Sequence, residues 1–210
     1  MIIRSILLTS LLLKGAHSFL KNDAFLGAPL YAESMDSNLK LLIDEKEIAL
    51  KLHDAAQKIQ RDYSGKDLVI VMVLKGSLCL AADLIREIDL PLDVEYVQCS
   101  SYGARGAERG ELQIIGLDRL KIHNRDVLIV DDIFDSGHTL SALAEALKQK
   151  QPRTIKSLVL LCKDVPHVTN SRPDYVLFDI PNLFVVGYGL DYKERYRGLR
   201  GVSVLTKTKF

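Results

Sequence analysis

Three stretches rich in apolar residues constrain the fold of this chain more than any other feature. They cover Leu68–Leu74, 127–130 and 155–161; the first two are uninterrupted, and the third contains Lys156 and Ser157 before four apolar residues. Runs of this length and composition are typical of strands that are buried on both faces of a sheet. Segments with a helical spacing of apolar residues alternate with these strands, over residues 44–63, 78–88 and 139–150. The alternation predicts an α/β fold in which helices flank a mostly parallel central sheet.

Smaller elements complete this outline. Shorter strands are predicted over 92–99, 111–115, 175–178 and 184–186, and a long glycine-containing loop over 100–110. Loops of that length in compact domains are often lids or binding loops. Asp44, with Glu47 three positions later, predicts a capping box at the start of the first helix. Ligands of parallel sheets bind at the carboxyl ends of the strands, so the residues just beyond each strand are the candidates for function.

Composition excludes several classes of protein. The chain has 210 residues, 28 Lys and Arg, and 27 Asp and Glu. A dedicated nucleic-acid or membrane-surface binder usually carries a basic excess, so we expect neither partner. Cysteines occur only at positions 79, 99 and 162, without CxxC spacing. This pattern argues against a disulfide framework or a zinc ribbon and favours buried thiols in a reducing cytoplasm.

The first 36 residues differ from the rest of the chain. Residues 2–13 are mostly apolar, with Arg4 near the start and Lys14 at the end, as in a secretory signal. The run is too short to span a bilayer as a helix. Met35 stands just before the globular pattern begins and is an alternative start of the protein. We therefore treat residues 1–36 as an extension of unknown role and expect residues 37–210 to form a single domain.

The segment with the clearest chemical meaning is residues 127–140. An apolar strand leads to two adjacent carboxylates, Asp131 and Asp132, and a turn over 135–139 then opens a helix. Amides at a helix N-terminus favour an anion, ideally a phosphate, and Gly137 allows a close approach of the backbone. Two acids beside a phosphate site make sense when the ligand also carries a diol or a metal ion. The pattern therefore predicts a phosphorylated ribose with Mg²⁺, whereas simple helix capping by Asp135 and Ser136 is the plainer alternative.

This segment resembles the binding signature for 5-phosphoribosyl-1-pyrophosphate (PRPP) in type I phosphoribosyltransferases. Along nearly all of residues 42–200, the chain is similar to one branch of that family, the hypoxanthine-guanine phosphoribosyltransferases. The matching pieces are the sequences at 74–76, 100–103, 184–192, and the single residues Lys163 and Arg197. The resemblance implies the fold of that family, with a small hood beside the parallel sheet. It also implies purine salvage, in which PRPP and hypoxanthine or guanine give IMP or GMP and pyrophosphate.

Chemistry and resemblance together suggest roles for the residues that would hold PRPP. Lys75, Gly76 and Arg197 would bind pyrophosphate, with Mg²⁺ as their partner. In the family, the peptide bond before this lysine is cis, which the resemblance implies for Leu74–Lys75. The acid pair would hold the ribose hydroxyls and contribute to the metal site. The 5-phosphate would bind to the turn formed by Ser136, Gly137, His138 and Thr139, and Asp135 at the start of that turn would also contact PRPP.

A second group of residues is expected to act on the purine. Asp135 would be the general base at N7, and Lys163 would donate to O6, which favours a 6-oxopurine over adenine. The resemblance implies that Phe184 stacks on the base, that the Val185 carbonyl accepts from it and that Asp191 is a magnesium ligand in the same segment. Ser101 and Tyr102 would belong to a mobile loop that covers the reacting ribose. The family is usually dimeric or tetrameric, which implies a homodimer or homotetramer.

Other interpretations remain open at this level. A non-catalytic regulator on the same fold would keep the phosphate turn, although it usually gains a basic face. A phosphoacceptor receiver domain also places an acid pair after a strand, but near the start of the chain. Taken singly, Lys163 is an ordinary surface lysine and Phe184 a core aromatic, and residues 191–197 form a solvated run of charges. Asp131 also departs from the resemblance, since this branch more often has glutamate there.

Overall fold

The central sheet forms from the apolar runs of the sequence. The computed structural model describes residues 38–102, 111–166 and 172–206, and six of its strands form one sheet. They are β2 Leu68–Leu74, β3 Leu92–Tyr102, β4 Glu111–Ile115, β5 Asp126–Phe134, β6 Thr154–Lys163 and β7 Tyr175–Ile180. Their order in the sheet is β4-β3-β2-β5-β6-β7. All neighbouring pairs are parallel except β3 and β4. The predicted α/β class with a mostly parallel sheet is therefore confirmed.

Helices cover both faces of this sheet. They are α1 Glu45–Asp62, α2 Leu78–Glu87 and α3 His138–Lys148, with a short 3₁₀ turn at Leu117–Arg119. Alternate residues of β2 enter two different cores: Leu68 and Ile70 pack with α1 and α2, whereas Val69 and Val71 pack on the side of α3. This arrangement explains why the run 68–74 contains no polar residue. No helix within the described residues is long and apolar enough to cross a membrane.

The start of α1 follows its sequence signal. The Asp44 carboxylate accepts from the amides of Lys46 and Glu47 at 2.8 Å each, and the Glu47 carboxylate accepts from the Asp44 amide at 3.0 Å. The predicted capping box is thus present, and it satisfies three amides that the first turn leaves without helical partners.

A second, antiparallel sheet of three strands forms the hood. Its strands are β1 Leu39–Ile43, β8 Val185–Val186 and β9 Val202–Leu205, in the order β1-β9-β8. The sheet brings residues from the two ends of the described chain together, which no local pattern could show.

Several predicted boundaries were wrong by a few residues. The acid pair lies inside β5, which continues to Phe134, and Lys163 is the last residue of β6 instead of following it. Strand β3 extends to Tyr102, so Ser101 and Tyr102 start the predicted loop as strand residues. The cysteines are all unpaired, as predicted, but only Cys162 is fully buried. The extension over 1–36 and the remainder of the loop, 103–110, lie outside the described residues.

Candidate active site

A cleft of about 540 Å³ opens at the carboxyl ends of the parallel strands. Its walls come from the ends of β2 and β5, from the turn into α3, from β3, and from a segment near the end of the chain. The lining residues are 73–76, 98–99, 131–140, Leu112, Asp191, Glu194 and Arg197. Strands β2 and β5 are neighbours, and the chain leaves them toward opposite faces of the sheet, through α2 and α3. Such a switch point is where open α/β sheets bind their ligands.

The acid pair forms the floor of the cleft. Asp131 is buried, with 6% of its surface exposed, and its carboxylate accepts from the Asp132 amide at 2.9 Å. Burial, and then the neighbouring Asp132 charge, raise the pKa of Asp131 well above its ordinary value. Burial also raises the pKa of Asp132. Two carboxylates in this setting favour a ligand that donates hydrogen bonds or carries positive charge.

The turn after β5 has the form of an anion site. Gly137 occupies the N-cap position of α3 with φ 83°, a left-handed conformation that glycine adopts without cost. The N-cap position thus belongs to Gly137, which has no side chain, and neither Asp135 nor Ser136 occupies it. Ser136, His138 and Thr139 line the cleft beside this helix start. The positive end of the α3 dipole therefore faces the space where a phosphate would bind.

Close backbone contacts shape the loop after β2. The Leu74–Lys75 peptide bond is cis, as the resemblance implied. A Cβ atom at Gly76 would lie 1.7 Å from Asp132 Oδ2, and one at Gly189 would lie 2.0 Å from the Gly76 carbonyl oxygen. Only glycine fits at both positions. The segment around Gly189 thus packs directly on the Lys75–Gly76 loop, which in turn packs on the acid pair.

Two cations and two carboxylates meet at one end of the cleft. Arg197 Nη2 lies 2.8 Å from Asp191 Oδ1 and 3.3 Å from Glu194 Oε1, and Arg197 Nη1 donates to the Gly189 carbonyl at 2.8 Å. Lys75 Nζ lies 3.0 Å from Glu194 Oε2. The hydrogen bond from Lys75, and the charges of Lys75 and Arg197, hold the pKa of Glu194 below its ordinary value. The charged run over 191–197 is therefore more than a solvated surface, because three of its members line the cleft.

Asp135 and Lys163 join the far side of the cleft. Lys163 Nζ lies 3.5 Å from Asp135 Oδ2, and the lysine side chain is only 13% exposed. The interpretation of Lys163 as an ordinary surface lysine is therefore wrong. Lys163 is not among the residues that line the cleft, but it contacts Asp135, which is.

Phe184 and Val185 lie in the hood and are not among the residues that line the cleft. Phe184 is 46% exposed and meets the edge of the Tyr192 ring at a centroid distance of 5.7 Å, so it is not a core aromatic. The Phe184 carbonyl accepts from the Leu205 amide. Because successive carbonyls of a strand point in opposite directions, the Val185 carbonyl points away from β9, toward the open edge of β8.

The structure adds residues that the sequence reasoning missed. Glu194 contacts both cations of the cleft, and the Tyr188 hydroxyl donates to Asp83 of α2 at 2.6 Å, which ties the Gly189 segment to that helix. Cys99 lines the cleft, but burial and the Asp131 charge raise the pKa of its thiol to about 12, so it is no nucleophile near neutral pH. No sequence motif marks these residues, since each acts through a contact between distant segments.

Known proteins share this architecture. The family described as phosphoribosyl transferase domain matches residues 40–193. A hypoxanthine-guanine phosphoribosyltransferase of Bacillus subtilis is 40% identical over 166 residues, which are 79% of this chain and 92% of that protein. The bifunctional protein TilS/HprT of Listeria monocytogenes is 38% identical over 82% of this chain, which spans 27% of that longer protein.

A solved structure supports the same relationship. The hypoxanthine phosphoribosyltransferase of Staphylococcus aureus superposes on this chain with a TM-score of 0.77 at 37% sequence identity. The match covers 83% of this chain and 96% of the Staphylococcus aureus chain. The family match covers the six-stranded sheet, the turn into α3 and most of the cleft, and it ends before Glu194 and Arg197. The chain therefore belongs to the phosphoribosyltransferase family, among the hypoxanthine-guanine phosphoribosyltransferases.

Proposed function

We propose that the protein transfers the 5-phosphoribosyl group from PRPP to N9 of hypoxanthine or guanine, in a Mg²⁺-dependent reaction that yields IMP or GMP and pyrophosphate. One observation carries the proposal: a single cleft is lined by the turn into α3, by a buried acid pair and by two cations that could bind pyrophosphate, Lys75 and Arg197. Each of these groups matches one part of PRPP. The family membership and the names of the curated relatives point to the same reaction.

PRPP would lie along the cleft from the α3 turn to Arg197. The amides at the start of α3, with the hydroxyls of Ser136 and Thr139, suit the 5-phosphate. Asp131 and Asp132 lie next to the turn and can accept hydrogen bonds from the two ribose hydroxyls. A raised pKa in the ligand-free acid pair is consistent with this role, because the hydroxyl donors would relieve the repulsion between the two carboxylates.

The leaving pyrophosphate would occupy the end of the cleft near Lys75, Gly76 and Arg197. Charge-assisted hydrogen bonds from an ammonium and a guanidinium neutralise the charge that develops as the glycosidic bond breaks. Arg197 Nε is buried and has no hydrogen-bond partner among the described residues. An oxygen of the pyrophosphate would satisfy that donor, which supports placing the ligand here.

The donor set also fits Mg²⁺. Asp191, Asp131 and Asp132 offer hard carboxylate oxygens along the cleft, and within the described residues no group of three or more His, Cys, Asp or Glu side chains could hold a metal alone. Magnesium typically binds one or two carboxylates and completes its shell with substrate phosphates and water. When bound, the ion would neutralise charge on the pyrophosphate. We therefore propose that Asp191 would bind the ion from the pyrophosphate side, and that Asp131 or Asp132 would bind it from the ribose side.

The purine would bind between the hood and the Asp135–Lys163 pair. N7 and O6 of a 6-oxopurine lie side by side on one edge of the base. A general base at N7 and a donor to O6 must therefore be neighbours, and Asp135 and Lys163 are 3.5 Å apart. Asp135 would remove the N7 proton as N9 attacks the ribose. Phe184, exposed in the hood, offers a ring for stacking, and the Val185 carbonyl offers an acceptor for the guanine amino group.

The biological setting belongs to the same proposal. We assign residues 37–210 to one phosphoribosyltransferase domain, with PRPP and a 6-oxopurine as its small-molecule partners and without nucleic-acid or membrane partners. A homodimer or homotetramer in the cytoplasm would be the working form. Ser101 and Tyr102 are expected to contact the substrate from the loop that continues into residues 103–110.

A PRPP-dependent assay with hypoxanthine, guanine, xanthine and adenine tests the proposal. The wild type should turn over hypoxanthine or guanine and not adenine. Asp135→Asn should lower kcat by about 10²- to 10⁴-fold, the range of general-base catalysis, with little change in the KM for PRPP. Asp54→Asn makes the same chemical change at an exposed position of α1 and should leave kcat unaltered.

Three results would contradict parts of the proposal. Absence of turnover with every 6-oxopurine would refute the enzymatic function. PRPP binding without turnover would favour the alternative of a non-catalytic regulator with the same fold. Unchanged turnover in Asp135→Asn would refute only the assignment of the general base.

A further inference from the structure

Glu194 occupies an unusual position in the cleft. Its two carboxylate oxygens face different cations, with Oε2 at 3.0 Å from Lys75 Nζ and Oε1 at 3.3 Å from Arg197 Nη2. A bridging anion with one oxygen for each cation is the arrangement that a pyrophosphate oxygen pair would adopt. The carboxylate therefore uses the same hydrogen-bond donors that the leaving group requires.

The backbone around Glu194 is built to present this side chain. Lys193, Glu194 and Tyr196 have φ values of 51°, 62° and 74°, a left-handed region that non-glycine residues rarely adopt. The turn is closed by hydrogen bonds between Tyr192 and Arg195 in both directions and by the Glu194 amide, which donates to Asp191 Oδ2 at 2.8 Å. These contacts direct the chain toward the cleft, so the position of Glu194 is set by the fold and not by its charge alone.

The contacts of the two cations differ in strength. The side chains of Lys75 and Glu194 are 56% and 67% exposed, so their ion pair is weak and easily exchanged. Arg197 is 26% exposed and has two other contacts, with Asp191 and with the Gly189 carbonyl, that do not involve Glu194. Loss of Glu194 would release Lys75 but leave the guanidinium in place.

We propose that Glu194 is a stand-in for pyrophosphate: it holds Lys75 and Arg197 in the ligand-free protein, yields both to pyrophosphate, and returns as the product leaves. The inference rests on the proposed function, because it takes Lys75 and Arg197 as the pyrophosphate site. Its consequence is that Glu194 lowers the affinity for free pyrophosphate. PRPP carries the same pyrophosphate group, so Glu194 competes with the substrate as well as with the product. Its effect on turnover is favourable where product release is the slow step, as it is in many enzymes. Glu194 is thus a positioning residue for the two cations and a competitor of the leaving group.

Calorimetry with Mg²⁺-pyrophosphate as the probe tests the inference. Glu194→Gln should bind pyrophosphate about three- to tenfold more tightly than the wild type. Pyrophosphate would no longer have to displace two solvent-exposed ion pairs, each of which is worth up to about fivefold in an equilibrium constant. Glu194→Ala should shift the Kd in the same direction. The gain should shrink between about 0.05 M and about 0.5 M salt, over which the Debye length falls roughly threefold. In turnover assays, inhibition by added pyrophosphate should strengthen by the same factor while the KM for the purine stays constant.

Glu145→Gln is the matched control. Glu145 is an exposed carboxylate of α3 that pairs with Lys148 and does not line the cleft, so the variant makes the same change in net charge. Its Kd for pyrophosphate should equal that of the wild type. The inference is overturned if Glu194→Gln binds pyrophosphate equally or more weakly, if the control shows the same gain, or if the wild type does not bind pyrophosphate. Because the calorimetry needs no turnover, tighter binding in a protein that lacks transferase activity would refute the proposed function alone.

Discussion

The contact between Gly189 and the Lys75–Gly76 loop leads to the most quantitative prediction. A Cβ atom at position 189 would lie 2.0 Å from the Gly76 carbonyl oxygen, a backbone atom that cannot turn aside as a side chain can. Gly189 also has φ 103°, where an L-residue is strained. Gly189→Ala therefore carries two penalties, one from its own backbone conformation and one from the collision.

The two penalties can be separated within the same chain. Gly65 has φ 72° but no atom within 4 Å of its Cβ position, so Gly65→Ala carries the backbone penalty without a collision. We expect Gly65→Ala to lower the free energy of unfolding by about 1–2 kcal/mol. Overpacking adds about 1–3 kcal/mol, so Gly189→Ala should lower the free energy of unfolding by roughly 2–5 kcal/mol in total.

Urea unfolding followed by circular dichroism measures both variants. Because the collision separates the Gly189 segment from the Lys75–Gly76 loop, Gly189→Ala should also raise the KM for PRPP, whereas Gly65→Ala should not. If Gly189→Ala proves no less stable than Gly65→Ala, the close backbone approach does not constrain this site, and the reasoning from the glycine contacts is wrong.

Two further predictions concern polar contacts outside that loop. The hydrogen bond from Tyr175 to Asp62, aided by Lys156, lowers the pKa of Asp62. A carboxyl group whose pKa is lower in the folded than in the unfolded protein stabilises the fold at pH values above its unfolded pKa. This stabilisation is lost as the pH falls through its folded pKa. Tyr175→Phe should accordingly lower the free energy of unfolding more at pH 7 than below about pH 4. Urea unfolding at both pH values measures the two losses, and equal losses would contradict the linkage. Lys163→Met would remove the proposed charged donor to O6 and should lower kcat/KM for hypoxanthine by about 10- to 100-fold, the worth of a charge-assisted hydrogen bond. An unaltered kcat/KM would refute the proposed role of Lys163 in base recognition.

Much of the cleft was predictable because its residues follow strands directly. Asp131, Asp132 and the turn to Thr139 are contiguous, so their spacing alone places them at one sheet edge beside a helix start. Lys75 and Gly76 lie at the end of β2 for the same reason. The predicted strand ends were less accurate than the positions of the strands, because the end of a strand depends on how far its neighbour pairs with it. Pairing with β5, which continues to Phe134, extends β6 beyond its predicted end.

The remaining parts of the site depend on contacts between distant segments. Glu194 reaches Lys75 across 119 positions of the chain, and Tyr188 reaches Asp83 across 105. Neither pair has a sequence signature, because an exposed glutamate in a charged run and a tyrosine after a glycine are common features.

The turn over 135–139, the acid pair and the parallel sheet were determined by the sequence itself, because local hydrogen bonding, residue size and apolar periodicity act over a few neighbouring residues. The tertiary structure decided how Lys75, Glu194 and Arg197 meet, and how closely Gly189 approaches Gly76. These features arise only when the loop after β2 and the segment before β9 pack together, and that packing depends on the hood, whose strands come from opposite ends of the described chain.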